Sequence, residues 1–427
     1  MEHFVLTGAM DHAATFAGTN GGVEHSTLAR QIARTKRRAK LQALALIAPL
    51  MLFLVVVLVL PIGTLLVRGF DNGNAAVTLP RTAEALLAWN GQDAPSEALF
   101  AALAGDLKQA EREDVAELAK LLNYHDAGMR SMVLKLARQV RTAEAPFAPV
   151  FIEVNQAWDS PRYWKTLQRV MPKVTDFYIL SALDLMRDDD GAITLVPPTT
   201  AVNLEVLART FTVSASVTLM CLLLGYPLAA LIARSRGATA NILFILVLLP
   251  FWTSLLVRTS AWVVLLQSRG VVNNVLAWLG IVDPDAPLEL IYNRVGVVIA
   301  MTHILLPFMI LPIYSVMKGI PPVYMRAAAS LGARPLSSFL RVYLPMTMPG
   351  VSAGCLLVFI LALGYYITPA LVGGPRDQMI SYFIAYYANQ VTNWGMAAAL
   401  SIILLVAVLV LYVIYNRLVG IQRLRIG

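Results

Sequence analysis

Few side chains in this 427-residue sequence stand at spacings that would support acid–base, nucleophilic or metal chemistry. His125 adjoins Asp126, but no triad, metal-ligand or phosphate-loop spacing surrounds the pair, so a solvated surface histidine is the favoured interpretation. The run of three aspartates at 188–190 could attract a cation, and a solvated loop is again favoured. Cys221 and Cys355 each lie in an apolar run, which excludes a disulfide framework. The pattern therefore indicates no enzymatic site.

A second group of polar and aromatic side chains falls inside apolar runs, where solute recognition is the relevant chemistry. An arginine at mid-bilayer costs about 2.5–3.5 kcal/mol on insertion scales, so Arg258 either snorkels outward or lines a pathway or subunit interface. Aromatic faces could attract a cationic amine by about 0.5–2 kcal/mol each, or they could mark the membrane interface. His303 is expected to be packed and hydrogen-bonded. The candidate translocation-pathway residues are Trp252, Ser254, Arg258, Thr259, Trp262, Tyr365 and Tyr366.

The composition indicates that hydrocarbon solvates much of the chain. Apolar residues make up 58% and charged residues 14%, and the mean hydropathy is +0.65, whereas soluble domains are roughly 45–50% apolar and about 25% charged. A net charge of +8 could suggest a nucleic-acid partner. However, residues 71–200 carry 13 basic and 18 acidic side chains, a net charge of −5, which leaves +13 for the remainder. Membrane topology explains this distribution, so no nucleic acid is expected as a partner.

Six apolar stretches are long enough to cross a bilayer, which requires about 20 residues each. The first, residues 41–67, exceeds the apolar core of about 7–15 residues found in signal peptides and is expected to remain as an anchor. The others are residues 210–233, 242–267, 296–317, 351–372 and 396–416. Lysine and arginine concentrate in alternate short segments, which places both termini in the cytoplasm. An all-α membrane protein with six transmembrane helices is predicted.

Two soluble segments flank the first span. Residues 1–40 form a basic tail, expected in the cytoplasm. Residues 71–200 separate the first two spans, and their apolar side chains recur at three- to four-residue spacing between proline and glycine turn signals. We expect an extracytoplasmic all-α insertion, large enough for its own core and suited to docking an external partner.

The cytoplasmic loop at residues 318–350 has the pattern of an interaction surface. Pro321 and the proline after it predict the start of a short helix. Small residues at 327–330 leave one face flat, and Gly332 permits a left-handed cap. The chain should then turn sharply.

The second half of this loop contains three further prolines. Pro335 is expected to begin a second short helix, and Pro345 and Pro349 to redirect the chain into the fifth span. The two short helices would form a helix–turn–helix along the inner membrane face, with a small-residue surface for a partner.

The loop resembles the cytoplasmic signature of permease subunits of binding-protein-dependent ABC importers. That signature reads Glu-Ala-Ala, three residues, Gly, nine residues, an aliphatic residue, one more, then Leu-Pro. Arg326 occupies the glutamate position, a charge reversal that puts any ion pair made there in doubt. The positions in register, which with Arg326 are the candidate ATPase-coupling residues, are Ala327, Ala328, Gly332, Val342, Leu344 and Pro345.

Residues 224–229 (LGYPLA) and 249–259 (LPFWTSLLVRT), with Trp262, resemble the spermidine/putrescine-type branch of that family. The resemblance covers the first span and residues 205–420, which it assigns to a transmembrane core of the MetI-like type. It implies a multi-pass protein of the bacterial inner membrane that forms the pathway for polyamine-like or related small solutes.

The resemblance also implies a set of partners. The short helix would sit in a groove of a cytoplasmic ATPase dimer, which would bind the ATP because this sequence contains no Walker motif. The chain itself would then be neither an enzyme nor the holder of a cofactor or metal. A second permease, expected to be a different chain, an extracytoplasmic solute-binding protein and membrane lipid complete the set.

Two other functions compete with this interpretation. A stand-alone secondary transporter commonly shows inverted repeats and charged residues at mid-bilayer, of which this sequence gives little sign. A membrane-anchored enzyme would act through residues 71–200, where no catalytic pattern was found. Uptake that requires a co-expressed ATPase and an external binding protein distinguishes an importer from both.

Overall fold

A computed structural model describes Lys36, Lys40, residues 42–188 and residues 191–419, with the backbone alone at the last two positions. Most of the predicted tail, residues 1–40, lies outside the described residues, as do the last two aspartates of the 188–190 run. The chain divides at Leu65 into two compact units.

Helix α1, Gln42–Phe70, is the first of the predicted spans. Its side chains are apolar through most of its length, as a helix that crosses the hydrocarbon of a bilayer requires. A π-helical turn, Val55–Val59, ends just before Pro61, where the missing proline N–H already interrupts the regular hydrogen-bond ladder.

The described part of the insertion contains eight α-helices, as its apolar periodicity predicted. They are α2 (Ala75–Thr78), α3 (Pro80–Ala88), α4 (Glu97–Gln109), α5 (Arg112–His125), α6 (Met129–Val140), α7 (Ala148–Val154), α8 (Pro161–Val170) and α9 (Phe177–Ala182). The helices enclose a core of their own, in which the rings of Phe100 and Trp164 meet edge to face at 5.2 Å. Trp158 and Phe151 pack beside them with centroids 5.4 Å apart. The insertion is therefore a folded domain.

The insertion is not wholly helical, contrary to the prediction. Strand β1 (Leu185–Arg187) pairs antiparallel with β2 (Ile193–Leu195), with Leu185 opposite Leu195. The two strands flank the Asp-Gly dipeptide at 190–191, a combination that favours tight hairpin turns. The three-residue strands are too short to show a period in the sequence.

Ten helices follow within the described residues. They are α10 (Asn203–Arg234), α11 (Gly237–Leu248), α12 (Leu255–Leu265), α13 (Val271–Trp278), α14 (Arg294–Lys318), α15 (Val323–Ser330), α16 (Pro335–Gly364), α17 (Ile367–Val372), α18 (Ile380–Asn389) and α19 (Trp394–Val419). Helices α10, α14 and α16 pack against one another and bury the apolar core of the membrane region. Small residues let α14 and α16 approach closely: a Cβ on Gly350 would lie 2.9 Å from the carbonyl oxygen of Pro312.

The third predicted span, residues 242–267, is not one straight helix. Among the described residues, five helices are long and apolar enough to cross a membrane (α1, α10, α14, α16 and α19), and the pair α11–α12 is bent by 99°. The bend has a local cause, because Pro250 lies in a 3₁₀ turn and Thr253 is extended. Ser254 then starts α12 by accepting the N–H of Val257 at 3.2 Å.

The fifth predicted span, residues 351–372, is also interrupted. Helix α16 ends at Gly364, Tyr365 is extended with ψ of 131°, and α17 starts at Ile367. The ring of Pro369 would clash with the carbonyl of Tyr365 in a continuous helix. The length of an apolar run predicts that a segment crosses the membrane, but it does not predict whether the helix is continuous.

Candidate functional site

Helix α15 presents the predicted coupling residues at the turn between α14 and α16. Met325 packs on the membrane core and Ala328 is half-buried, whereas Arg326 and Ala327 are exposed. Leu331, which comes directly after the last residue of α15, exposes 88% of its surface. One side of this two-turn helix is thus anchored, and the other is open to a partner.

The predicted left-handed cap of α15 is present at Gly332. Its φ is +79°, and its N–H donates to the carbonyl of Ala329 at 3.0 Å. The N–H of Ala333 donates to the carbonyl of Ala328 at 3.1 Å. These two bonds form a Schellman motif, which satisfies the last helical carbonyls and fixes the direction of the exit.

The helix that starts at Pro335 is long rather than short, so the predicted helix–turn–helix is wrong in its second half. Helix α16 continues through Pro345 and Pro349 to Gly364. A π-helical turn, Phe339–Tyr343, precedes Pro345 and supplies the extra residue that carries the ladder past its missing N–H. Consequently α15 is followed directly by a 30-residue rod.

The first half of α16 is held against α10. The hydroxyls of Tyr226 and Thr347 lie 3.1 Å apart, and the ring of Tyr226 meets that of Phe339 edge-on. The guanidinium of Arg234 lies 5.8 Å from the ring centroid of Tyr343. Of the remaining predicted coupling residues, Val342 and Leu344 are half-buried here and Pro345 is exposed. Val342, Leu344 and Pro345 therefore belong to α16, whereas the exposed helix that precedes it is α15.

Cations dominate the surface around α15. No acidic residue occurs between Glu289 and Asp377 in the sequence, and Arg326, Arg334 and Arg341 are all exposed. The charge reversal at Arg326 therefore lies in a uniformly positive setting.

Several predicted pathway residues come together where the two interrupted spans meet. Helix α12 packs against α17, and the buried hydroxyls of Thr259 and Thr368 lie 3.2 Å apart. Discontinuous helices with polar groups at their breaks commonly line solute sites in transporters. Thr368 was not predicted, and Pro369 beside it was the available signal.

A hydrogen-bonded and charged cluster adjoins this contact. The indole N–H of Trp262 donates to Nδ1 of His303 at 3.1 Å, so His303 is hydrogen-bonded, as predicted. Arg258 lies within electrostatic range of both His303 and Tyr365. Its Nε is buried and has no hydrogen-bond partner among the described residues. The structure thus brings Trp262 into contact with His303 and places Arg258 near both His303 and Tyr365.

The other predicted pathway residues lie apart from this cluster or serve local structure. Trp252 is 78% exposed on the 3₁₀ turn, and Tyr366 is also exposed. The hydroxyl of Ser254 caps the backbone of α12. Ser254 thus has a structural role in starting α12, and a pathway role for these three side chains stays a prediction.

The interpretation of His125 as a solvated surface residue is wrong. Its ring stacks on Phe177 with centroids 3.8 Å apart, and its Nε2 is buried. Burial, with a smaller contribution from Arg169, lowers its pKa from 6.5 to about 4. It is therefore neutral at physiological pH. Among the described residues, no group of three His, Cys, Asp or Glu side chains could hold a metal ion.

Comparisons with known proteins cover the membrane region. Residues 225–426 match the family described as binding-protein-dependent transport system inner membrane component. The chain is 35% identical over 213 residues to the spermidine/putrescine transport system permease protein PotB of Escherichia coli K12, which spans 50% of this chain and 77% of PotB. It is 36% identical to PotB of Haemophilus influenzae, over 50% of this chain and 74% of that protein. It is 33% identical over 256 residues to the inner membrane ABC transporter permease protein YdcU of Escherichia coli K12, over 54% and 80%.

Proposed function

The chain belongs to the family of binding-protein-dependent transport system inner membrane components, the permease subunits of ABC importers, and we propose that it translocates polyamine-like or related small solutes. It is a multi-pass protein of the bacterial inner membrane and a transporter component rather than an enzyme. Two of the similar proteins are named for spermidine and putrescine, which supports this solute class. The aromatic rings of Trp262 and Tyr365 near the breaks offer faces that suit an amine.

Solute selectivity is assigned mainly to a separate protein outside the membrane. The membrane-crossing windows of the five long helices contain few charged residues, and no acidic residue lies between Glu205 and Asp283 or between Glu289 and Asp377. A cationic amine would therefore meet aromatic and hydroxyl groups in the pathway and no carboxylate. An extracytoplasmic binding protein would select the solute, and this chain would conduct it beside a second permease, expected to be a different chain.

Coupling to ATP hydrolysis is assigned to α15. The observation that carries this assignment is its geometry: an exposed two-turn helix, closed by the Schellman motif at Gly332 and continuous within a few residues with α16. Such a tip fits a groove on a cytoplasmic ATPase dimer, which would hold the ATP. Arg326 on this helix and Arg334 and Arg341 after it are exposed, so the groove is expected to present acidic side chains.

The motion would reach the pathway through α16. Thirty residues of helix span about 45 Å, and the outer end of this rod breaks at Tyr365, near Arg258. Closure of the ATPase dimer would displace α15, and the rod would carry that displacement to the break. Access to the pathway would then alternate between the two sides of the membrane.

The orientation that this mechanism requires has both termini in the cytoplasm. The positive-inside rule supports this orientation. It requires an even number of spans, which the chain has if the bent pair α11–α12 crosses the membrane as one span.

Transport by the assembled importer tests the proposal. Cells that express the chain with its ATPase, companion permease and binding protein are expected to deplete spermidine or putrescine from the medium. Cells that lack either the ATPase or the binding protein should not. Depletion that persists without the ATPase would contradict an importer and favour a secondary transporter.

A further inference from the structure

One face of the insertion is fixed at the outer end of the first spanning helix. The N–H of Thr175 donates to the carbonyl of Phe70, the last residue of α1, at 2.8 Å. Asn72 follows Phe70 by two residues, and its N–H donates to the carbonyl of Lys173 at 3.0 Å. Val174, between these bonds, therefore lies level with the end of α1.

The same segment is fixed at the outer end of the second spanning helix. The carboxylate of Asp184, which directly precedes β1, accepts the N–H groups of Val202, Asn203 and Leu204 at 3.2, 3.0 and 2.8 Å. These are the free N–H groups at the start of α10, so Asp184 acts as its cap. The β-hairpin is thereby attached to the start of α10.

Helix lengths place both attachment points among lipid headgroups. Helix α1 has 29 residues and α10 has 32, which at 1.5 Å per residue is roughly 43 and 48 Å. A bilayer is about 40–45 Å thick with its headgroups. The outer ends of two helices that cross it therefore lie near the headgroup level, together with the chain bound to them.

The side chains exposed there are apolar. Val174 and Leu195 each expose 74% of their surface, and Ile193 exposes 53%. The strand register puts Ile193 and Leu195 on the same face as Leu185, with Arg187 directly opposite Ile193. Leu185 lines a cleft of about 640 Å³ whose wall combines apolar side chains with polar ones. The apolar members include Phe70, Val174, Phe177 and Leu180, and the polar ones include His125, Arg169, Asp176 and Arg187.

Cations border this apolar face. Lys173 is exposed next to Val174, and Arg187 is half-exposed where it pairs with Asp176. Apolar side chains rimmed by lysine and arginine are typical of protein surfaces that lie in the headgroup–acyl boundary, where the cations meet lipid phosphates.

We propose that Val174, Ile193 and Leu195 insert into the outer lipid leaflet, with the cleft open to acyl chains, so that the insertion rests on the membrane surface. Lipid, rather than a protein partner, is favoured because the face is tied to two helix ends at headgroup depth. Backbone hydrogen bonds join it to Phe70 at the end of α1, and the carboxylate of Asp184 joins it to the start of α10. A binding protein would still find the remaining surface of the insertion free to dock.

Spin-label accessibility in lipid nanodiscs tests this placement on the full chain. Single cysteines are introduced by Leu195→Cys and Val174→Cys in a C221A/C355A background, and the discs contain phosphatidylethanolamine and phosphatidylglycerol. Glu153→Cys is the control, since Glu153 is exposed on α7, whose packing partners α4 and α6 belong to the insertion. Collision with oxygen, which concentrates in lipid, is compared with collision with a water-soluble nickel chelate.

The ratio of oxygen to nickel collisions is expected to be several-fold higher at positions 174 and 195 than at 153. Equal ratios at all three positions would place the face in water and overturn the proposal. Low collision rates with both reagents would mean that protein covers the face, which would overturn it equally. Unchanged thermal unfolding of the labelled chains, relative to the C221A/C355A parent, checks that they are folded.

Discussion

The hydroxyl oxygens of Thr259 and Thr368 lie 3.2 Å apart, both fully buried, and they join the two interrupted spans of the membrane region. Thr259 also donates to the carbonyl of Leu255 one turn back, so Thr368 is the donor in the contact between them. A side-chain hydrogen bond therefore connects the start of α12 to α17.

Breaking this bond is expected to reduce transport more than stability. Thr259→Val and Thr368→Val should show a coupling free energy of about 0.6 kcal/mol, the average for such bonds in membrane proteins, in a double-mutant cycle of detergent-induced unfolding. Uptake by either variant should fall because the breaks no longer move together. Thr212→Val is the control, since Thr212 bonds only within α10 in the described structure. Strictly additive effects would show that the contact carries no energy.

Gly332→Asp should leave membrane insertion intact but uncouple ATP hydrolysis from uptake. At φ of +79° a non-glycine residue costs about 1–2 kcal/mol, although a Cβ there meets nothing within 4 Å. The strain would redirect the exit from α15 without disturbing the core. Gly237→Asp is the matched control, because Gly237 has φ of +60° and similar open space. Normal uptake by Gly332→Asp would argue strongly against the coupling role of α15.

Arg326→Glu tests the sign of the charge on the partner surface. The side chain is exposed, so unfolding should change by less than about 0.5 kcal/mol. If the groove is acidic, a carboxylate at this position should repel it, and co-purification with the ATPase should weaken, most clearly at low salt. Arg236→Glu, exposed beside Gly237, should have no such effect. Tighter association of Arg326→Glu would show that the groove is basic instead.

The insertion should lose stability in mild acid through His125. Burial and Arg169 hold the pKa of this side chain at about 4 in the fold, below the 6.5 of an ordinary histidine. Between these values the unfolded chain binds the extra proton, so stability falls as the pH drops from about 6.5 to 4, by up to about 3 kcal/mol. His125→Gln should remove this component. The measurement is the difference between the two proteins in urea midpoint, followed by tryptophan fluorescence across that range. Parallel pH dependence in both proteins would contradict it.

Sequence reasoning located the long helices and the cap of α15 because both have local causes. A run of some 20 apolar residues must find hydrocarbon, and Gly332 is the residue that a left-handed exit prefers. The amphipathic spacing in the insertion likewise reports local burial.

The interruptions and the polar cluster could not be predicted in the same way. Whether α16 continues past Pro345 depends on a π turn whose rings, Phe339 and Tyr343, pack near Tyr226 and Arg234 of another helix. His303 and Trp262 meet only through tertiary packing, 41 residues apart in the chain. Contacts between residues far apart in the chain cannot be predicted from the apolar pattern of one sequence.

The insertion is also bound to the start of the last spanning helix. A Cβ on Gly395 would come within 2.5 Å of the ring of Tyr178, and Lys120 donates to the backbone oxygen of Thr392 at 3.3 Å. An engineer who excised residues 71–200 would uncover a bare glycine and an unpartnered apolar helix face. A shortened version of this permease would therefore need new side chains at the head of α19 before it could fold as cleanly as the parent.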